Sequence, residues 1–175
     1  MKRTQNTLVS LISSMFLTGM VYAVANENAH AEGVKTMDTK VSSYIEPKIN
    51  HGKYGVMKIV VPITTEDKAI QGMKLRNIEN TLDSATKWGG QIQTTVVLYA
   101  KGVSLLNNPD LETQKKIDAL KARGVQFDVC DNTLREQGID FHQLYHVLDR
   151  DIVPSGFAEV AYLQSKMHYV VDPIN

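Results

Sequence analysis

The sequence predicts an α/β fold: one domain on a mostly parallel sheet of about five strands, with helices on both faces. Two observations carry that expectation. From about Tyr54 to Val171, apolar β-branched runs alternate with amphipathic stretches in the order βαβαβαβαβ, the order that a parallel sheet with crossover helices requires. Beyond an amino-terminal leader the chain keeps about 150 of its 175 residues, enough for one domain with a real core.

The leader comes first. Lys2 and Arg3 form a basic start, residues 8–24 are largely apolar and uncharged, and small-x-small sites follow at Ala23-Val24-Ala25 and Ala29-His30-Ala31. That order is a secretory signal, so residues 1–31 are expected to be removed after Ala25 or Ala31, releasing the protein into the periplasm without stable membrane insertion. The rival is an uncleaved anchor, since the run approaches the length of a span; Ser10, Ser13, Ser14 and Thr18 dilute it. Residues 32–52 mix polar types with little periodicity and read as an extended leader, and 53–175 as the domain.

Strand one covers 54–63, strongly apolar, with Pro62 near its end where a missing ladder donor does least harm. A long helix follows over 65–88, with Ile70, Met73, Ile78, Leu82 and Ala85 on one stripe and Gly89-Gly90 as its stop. Strand two, 91–100, runs apolar through Val96, Val97 and Leu98 and ends at Lys101-Gly102. After a short turn at 103–106 and the breaker Asn107-Asn108-Pro109, Asp110 caps a helix to about Ala122, with Leu111, Ile117 and Leu120 inward and Gly124 as its stop. Strand three is 125–130. A loop with a helical stretch at 141–148, a short strand at 151–153, a helix opened by Ser155 and running to about Lys166, and a last strand at 169–171 complete the order. Met57, Met73, Met167 and Trp88 read as core filling.

Chemistry concentrates at the only cysteine, Cys130, in Gly124-Val-Gln-Phe-Asp-Val-Cys-Asp-Asn-Thr-Leu-Arg-Glu-Gln-Gly138. A strand delivers it to the point where the sheet stops, which is where open α/β sheets hold ligands and reactive groups. Asp131, Asn132 and Thr133 are good helix caps, and Thr133 with Glu136 fits a capping box. A thiol near a helix start is biased towards thiolate; adjacent Asp131 opposes that bias. The inert reading stands beside it, because lone cysteines are among the most buried residues. In an exported chain one cysteine has no internal partner, so it is buried, paired between chains, or used. Asn132 and Thr133, with Ser155 and Gly156 at the later helix start, are candidate stabilisers of a thiolate or small anion. Thr64 and Thr65 are candidate pocket-lining residues if strands one and three flank the switch point of the sheet.

Other classes find little support. The formal charge is zero and removal of Lys2 and Arg3 makes it slightly negative, so there is no basic footprint for nucleic acid. There is no Gly-rich phosphate loop. His142 and His146 would share a helix face and form a metal pattern, but no third ligand is evident nearby; surface or packing histidines are the alternative. No metal and no cofactor is expected.

The run Val125-Gln-Phe-Asp-Val-Cys-Asp-Asn-Thr-Leu with Gly138-Ile139, then Ile152-Val-Pro-Ser-Gly-Phe-Ala-Glu-Val-Ala-Tyr-Leu-Gln164 and Tyr169-Val-Val-Asp-Pro173, resembles the DsrE/DsrF-like family over about 54–173. The resemblance implies a small α/β fold that assembles into trimers or hexamers. It also implies that a cysteine matching Cys130 carries sulfur as a persulfide from a donor protein to an acceptor. Studied members are cytoplasmic, whereas this chain reads as exported and has to keep its thiol from oxidation. The alternative is a non-catalytic oligomeric scaffold or binding module with a structural cysteine. An apolar last strand at 169–171 leaves a sheet edge that a second copy would cover, which agrees with a homo-oligomer.

Overall fold

The computed structural model describes residues 44–52 and 54–172. The chain divides into two units, Met1–Ile45 and Glu46–Asn175. Of the first only Tyr44 and Ile45 are described, so the expected signal segment and most of the expected leader lie outside the described residues.

The second unit holds a five-stranded parallel sheet in the order β4-β3-β2-β1-β5. β1 (Val56–Ile63) leads through α1 (Lys68–Lys87) to β2 (Gln91–Leu98), with Val56 opposite Gln91 and Ile63 opposite Leu98. A 3-10 turn, Ala100–Leu105, and α2 (Leu111–Ala122) lead to β3 (Gln126–Cys130); α3 (Asp131–Gln137) and two short 3-10 turns lead to β4 (Ile152–Val153). α4 (Gly156–Ser165) then carries the chain back across the sheet to β5 (Val170–Val171) beside β1.

Strand alternation sorts the core into two layers. Val61, Ile63, Val96, Leu98, Phe127 and Val129 pack with Leu75, Ile78 and Leu82 of α1 and Ile117 and Leu120 of α2. Val60 and Val97, their neighbours in the chain, face the other way and pack with Val160 and Leu163 of α4. Helices therefore cover both faces, as the sequence predicts, but with a division of three connections against one.

Several local expectations are corrected. The first half of α1 buries Gln71, Lys74 and Leu75 rather than Ile70 and Met73, because Lys74 reaches Asp172 beyond β5 at 2.9 Å and Gln71 reaches the loop after β1. Leu111 is 73 % exposed: Asp110 caps α2 through the Thr113 amide, and that places Leu111 in the first turn, pointing to solvent. Met57 and Met167 stand largely at the surface, Met57 near the start of β1 and Met167 in the turn after α4. No helix forms at 141–148. A 3-10 turn, Phe141–Gln143, is followed by a bridge from Leu144 to Asn107, and His146 takes a left-handed φ of 54° that no helix tolerates. Half-buried Trp88 does not fill the core: its indole N–H donates to the Ile49 carbonyl at 3.2 Å, and its ring meets His51 and Tyr54. It thus holds the segment entering β1.

Candidate functional site

Parallel strands bring their carboxyl ends to one edge, and Cys130 is the last residue of β3 there. β2 lies on one side, with Leu98 opposite Val129; β4 lies on the other, with Val153 opposite Cys130. The thiol is 5 % exposed. Its backbone is extended (φ −73°, ψ 114°) and serves as the cap of α3, with no side-chain cap bond. Helix α3 therefore begins at Asp131, three residues earlier than a cap at Thr133 would start it. The expected Thr133–Glu136 capping box does not form.

Thr133 has another task. It is 4 % exposed, and its hydroxyl accepts the Ala100 amide at 2.9 Å, while Gln137 donates to the Ala100 carbonyl at 2.9 Å. Ala100 holds a left-handed φ of 49°, a conformation costly for a residue with a side chain and common at functional loops. Both of its peptide groups are pinned by α3. Asn132 is exposed, and Asp131 accepts from Arg135 Nε at 2.6 Å.

The next residues of the β2 exit fold onto β1. A Cβ on Gly102 would lie 1.8 Å from the Ile63 carbonyl oxygen, so only glycine permits that approach. Thr64 is exposed. Thr65 accepts Gln71 Nε2 on its carbonyl at 2.7 Å and the Asp67 amide on its hydroxyl at 3.1 Å. The same Gln71 amide group donates to Ser104 at 3.0 Å. Thr64 and Thr65 thus sit on the far side of β2 from Cys130. The expectation that strands one and three flank the switch point is corrected: β2 separates them, and the order reverses between β1 and β5.

Ser155 caps α4 by accepting the Ala158 amide at 3.4 Å. Gly156 packs against Tyr99, where a Cβ would come within 2.9 Å of the Tyr99 Cβ and 3.0 Å of its ring. The structure therefore gathers Cys130, Thr133, Ser155 and Gly156 around the Tyr99–Ala100 exit of β2. It leaves Thr64 and Thr65 one strand away.

A buried acidic group, absent from the residues expected at the site, lies on the same strand face as the cysteine. Gln126, Asp128 and Cys130 share the α4 face of β3, as the alternation dictates. Asp128 is 8 % exposed; burial raises its carboxyl to about 6, opposed by the hydrogen bond from Gln126 and aided by the charges of Glu159 and Asp151. Gln126 Nε2 donates to Asp128 Oδ1 at 3.1 Å and to Asp151 Oδ1 at 3.0 Å. The sequence signal was there: an acid within an apolar strand, two residues from the thiol. The histidines do not converge. His142 pairs with Asp140 at 2.7 Å and His146 with Asp118 at 3.2 Å, and among the described residues no group of three His, Cys, Asp or Glu is placed to hold a metal. Nor is any described helix long and apolar enough to cross a membrane.

Comparison with known proteins bears on the whole of this domain. The sequence model of the DsrE/DsrF-like family matches residues 57–173. A solved structure of a protein of unknown function from Methanobacterium thermoautotrophicum is similar with a TM-score of 0.58 at 25 % identity, over 66 % of this chain and 97 % of that one. A second, from Bacteroides thetaiotaomicron and also of unknown function, has a TM-score of 0.47 at 17 % identity, over 65 % and 91 %. No curated protein matches the chain.

Proposed function

We infer the function from one premise: the chain belongs to the DsrE/DsrF-like family, and that membership points to a sulfur-relay-related role. The reading proposed here is a carrier that holds sulfane sulfur as a persulfide on Cys130 and passes it to a partner. The observation that supports it is the seat of the only cysteine, at the carboxyl end of β3 in an open parallel sheet, the end of the strands on which such folds bind their ligands, although the reversal of strand order itself lies between β1 and β5.

The step asks little of the protein. The Cys130 thiolate attacks the outer sulfur of a donor persulfide, R–S–SH; a new S–S bond forms at Cys130, the donor's S–S bond breaks, and the donor leaves as a thiolate. The same exchange in the other direction hands the sulfur on. Electrons balance without an added oxidant, and rate follows thiolate fraction and access. On this reading the protein is exported by residues 1–31 and works in the periplasm. It works as a trimer or a pair of trimers, which agrees with the exposed Phe157 and Tyr162 of α4 and Val170 of the edge strand β5.

Incubation of native protein with a sulfane-sulfur donor is expected to add about 32 Da, one sulfur atom, by intact mass. The gain should disappear with dithiothreitol and be absent in Cys130→Ser. One observation favours a second reading, a scaffold with a packed cysteine: the thiol is 5 % exposed. That reading expects no adduct on the wild type and a Cys130→Ser variant weakened by about 1 to 3 kcal/mol through a buried, unpaired hydroxyl. Export is checked by the amino-terminal sequence of protein from the periplasmic fraction, expected to begin after Ala25 or Ala31; intact Met1 in the membrane fraction would establish the anchor instead.

A further inference from the structure

A thiol that exchanges sulfur with two partners has to be reached, and Cys130 is covered. β4 flanks it, with Val153 paired to Cys130, and from there Pro154, Ser155 and Gly156 lead along the face that the Cys130 side chain shares to Tyr99 at the exit of β2 on the other side. Two residues of edge strand hold weakly by themselves. A side-chain bridge reinforces them: one amide nitrogen, Gln126 Nε2, donates to carboxylates on both sides of the seam, Asp128 on β3 and Asp151 at the entrance to β4. The second oxygen of Asp151 accepts the Leu148 amide at 3.0 Å and closes the turn that leads into β4.

We propose that Asp128 is a positioning residue for Cys130, and that its carboxyl, acting through Gln126 and Asp151, decides whether β4 and the start of α4 lie closed over the thiol. The purpose of this device rests on the carrier reading, whereas its physics does not. The charged groups around Asp128 are Asp151 from the turn before β4 and Glu159 from α4, both acidic, with Arg150 of that same turn 3.9 Å from Asp151 Oδ1; β2 sets uncharged Val97 opposite. A neutral Asp128 lets Gln126 bridge the seam without repulsion. An ionised one stands in a poorly hydrated place against two carboxylates, and opening of the segment relieves it.

Burial and these neighbours raise the Asp128 carboxyl from 3.8 to about 6 in the closed form. If opening returns it to its ordinary value, the opening constant has to rise about tenfold between about pH 5 and about pH 7 and then level off. The seam is closed in acid and loosened near neutrality.

Hydrogen exchange of the full chain tests this through the amides of residues 152, 153 and 155–159, corrected for intrinsic chemical exchange. The wild type should lose about tenfold in protection across that pH range. Asp128→Asn should remain protected with no pH dependence, and Glu159→Gln should keep the loss but move its midpoint to lower pH. Flat protection in the wild type, or equal slopes in the wild type and Asp128→Asn, overturns the proposal. If Asp128→Asn does not fold, Glu159→Gln decides, and an unmoved midpoint overturns it. A persulfide adduct with flat protection removes the seam mechanism and leaves the carrier; a pH-dependent seam with no adduct does the reverse.

Discussion

At Gly102 and Thr133 the cost of a single substitution can be read from the geometry. Gly102→Ala sets a methyl group 1.8 Å from the Ile63 carbonyl oxygen; the β1 and β2 exits have to separate, at about 3 kcal/mol or more, which urea unfolding would register as a lower midpoint. Thr133→Val removes the acceptor of the Ala100 amide and is expected to cost about 1 to 2 kcal/mol. Because Thr133 looks like a cap in the sequence, that partnership was illegible there: a cap and a tertiary acceptor have the same residue preferences. The extended backbone of Cys130 had already started the helix. Asp128 carries the pH dependence. Its folded-state carboxyl lies above the ordinary 3.8, at about 6, so its favourable contribution is complete below about pH 4 and lost as pH rises through 6 to about 7, about 3 kcal/mol in all. Exposed Asp110 and Asp140 are shifted down by hydrogen bonds from Thr113 and His142, and their contribution has the opposite sense, present above the ordinary value and lost in acid. Thermal unfolding of the wild type and Asp128→Asn across that pH window should show a smaller decline in the variant.

Among the elements, those whose signal is local were legible and those settled by contact were not. Gly89-Gly90, Asp110 and Ser155 mark helix ends that the structure keeps to within a few residues. The stretch 141–148 has helical spacing, yet Leu144 bridges to Asn107 and Tyr145 bonds to Asp118 at 2.9 Å; contacts with the α2 region outweigh a short helix, whose nucleation is costly. α4 shows the reverse discrepancy. It buries Val160 and Leu163 and leaves Phe157, Ala158, Ala161 and Tyr162 exposed, an apolar outer face that a monomer would present to water. Light scattering at micromolar concentration is expected to report a trimer or a multiple of it, and Phe157→Ser with Tyr162→Ser to lower that mass. A monomer mass for the wild type would exclude the assembly.

For the molecule as a whole, the alternation of periods revealed the parallel sheet and its two-sided cover, because each βαβ unit writes its own pattern. Strand order is not written that way. Three crossovers in one direction place β2 between β1 and β3, and only α4 turns back; the direction of each crossover depends on which face has room, a property of the assembled core. Hence the position of Cys130 at a strand end was legible, while the distance of Thr64 and Thr65 from it was not.

Trp88 gives the domain a handle. The chain at Ile49, His51 and Tyr54 is fastened where α1 ends and β2 begins, through the Ile49 carbonyl and the rings of His51 and Tyr54, and the eight-residue strands β1 and β2 put about 25 Å between that pole and the end of the sheet bearing the thiol. A bead, electrode or sensor surface coupled at position 46 would grip the domain at the end remote from Cys130 and leave the carboxyl ends of the strands facing solution. Immobilised protein of that kind should react with a soluble thiol reagent at the same rate as protein in solution.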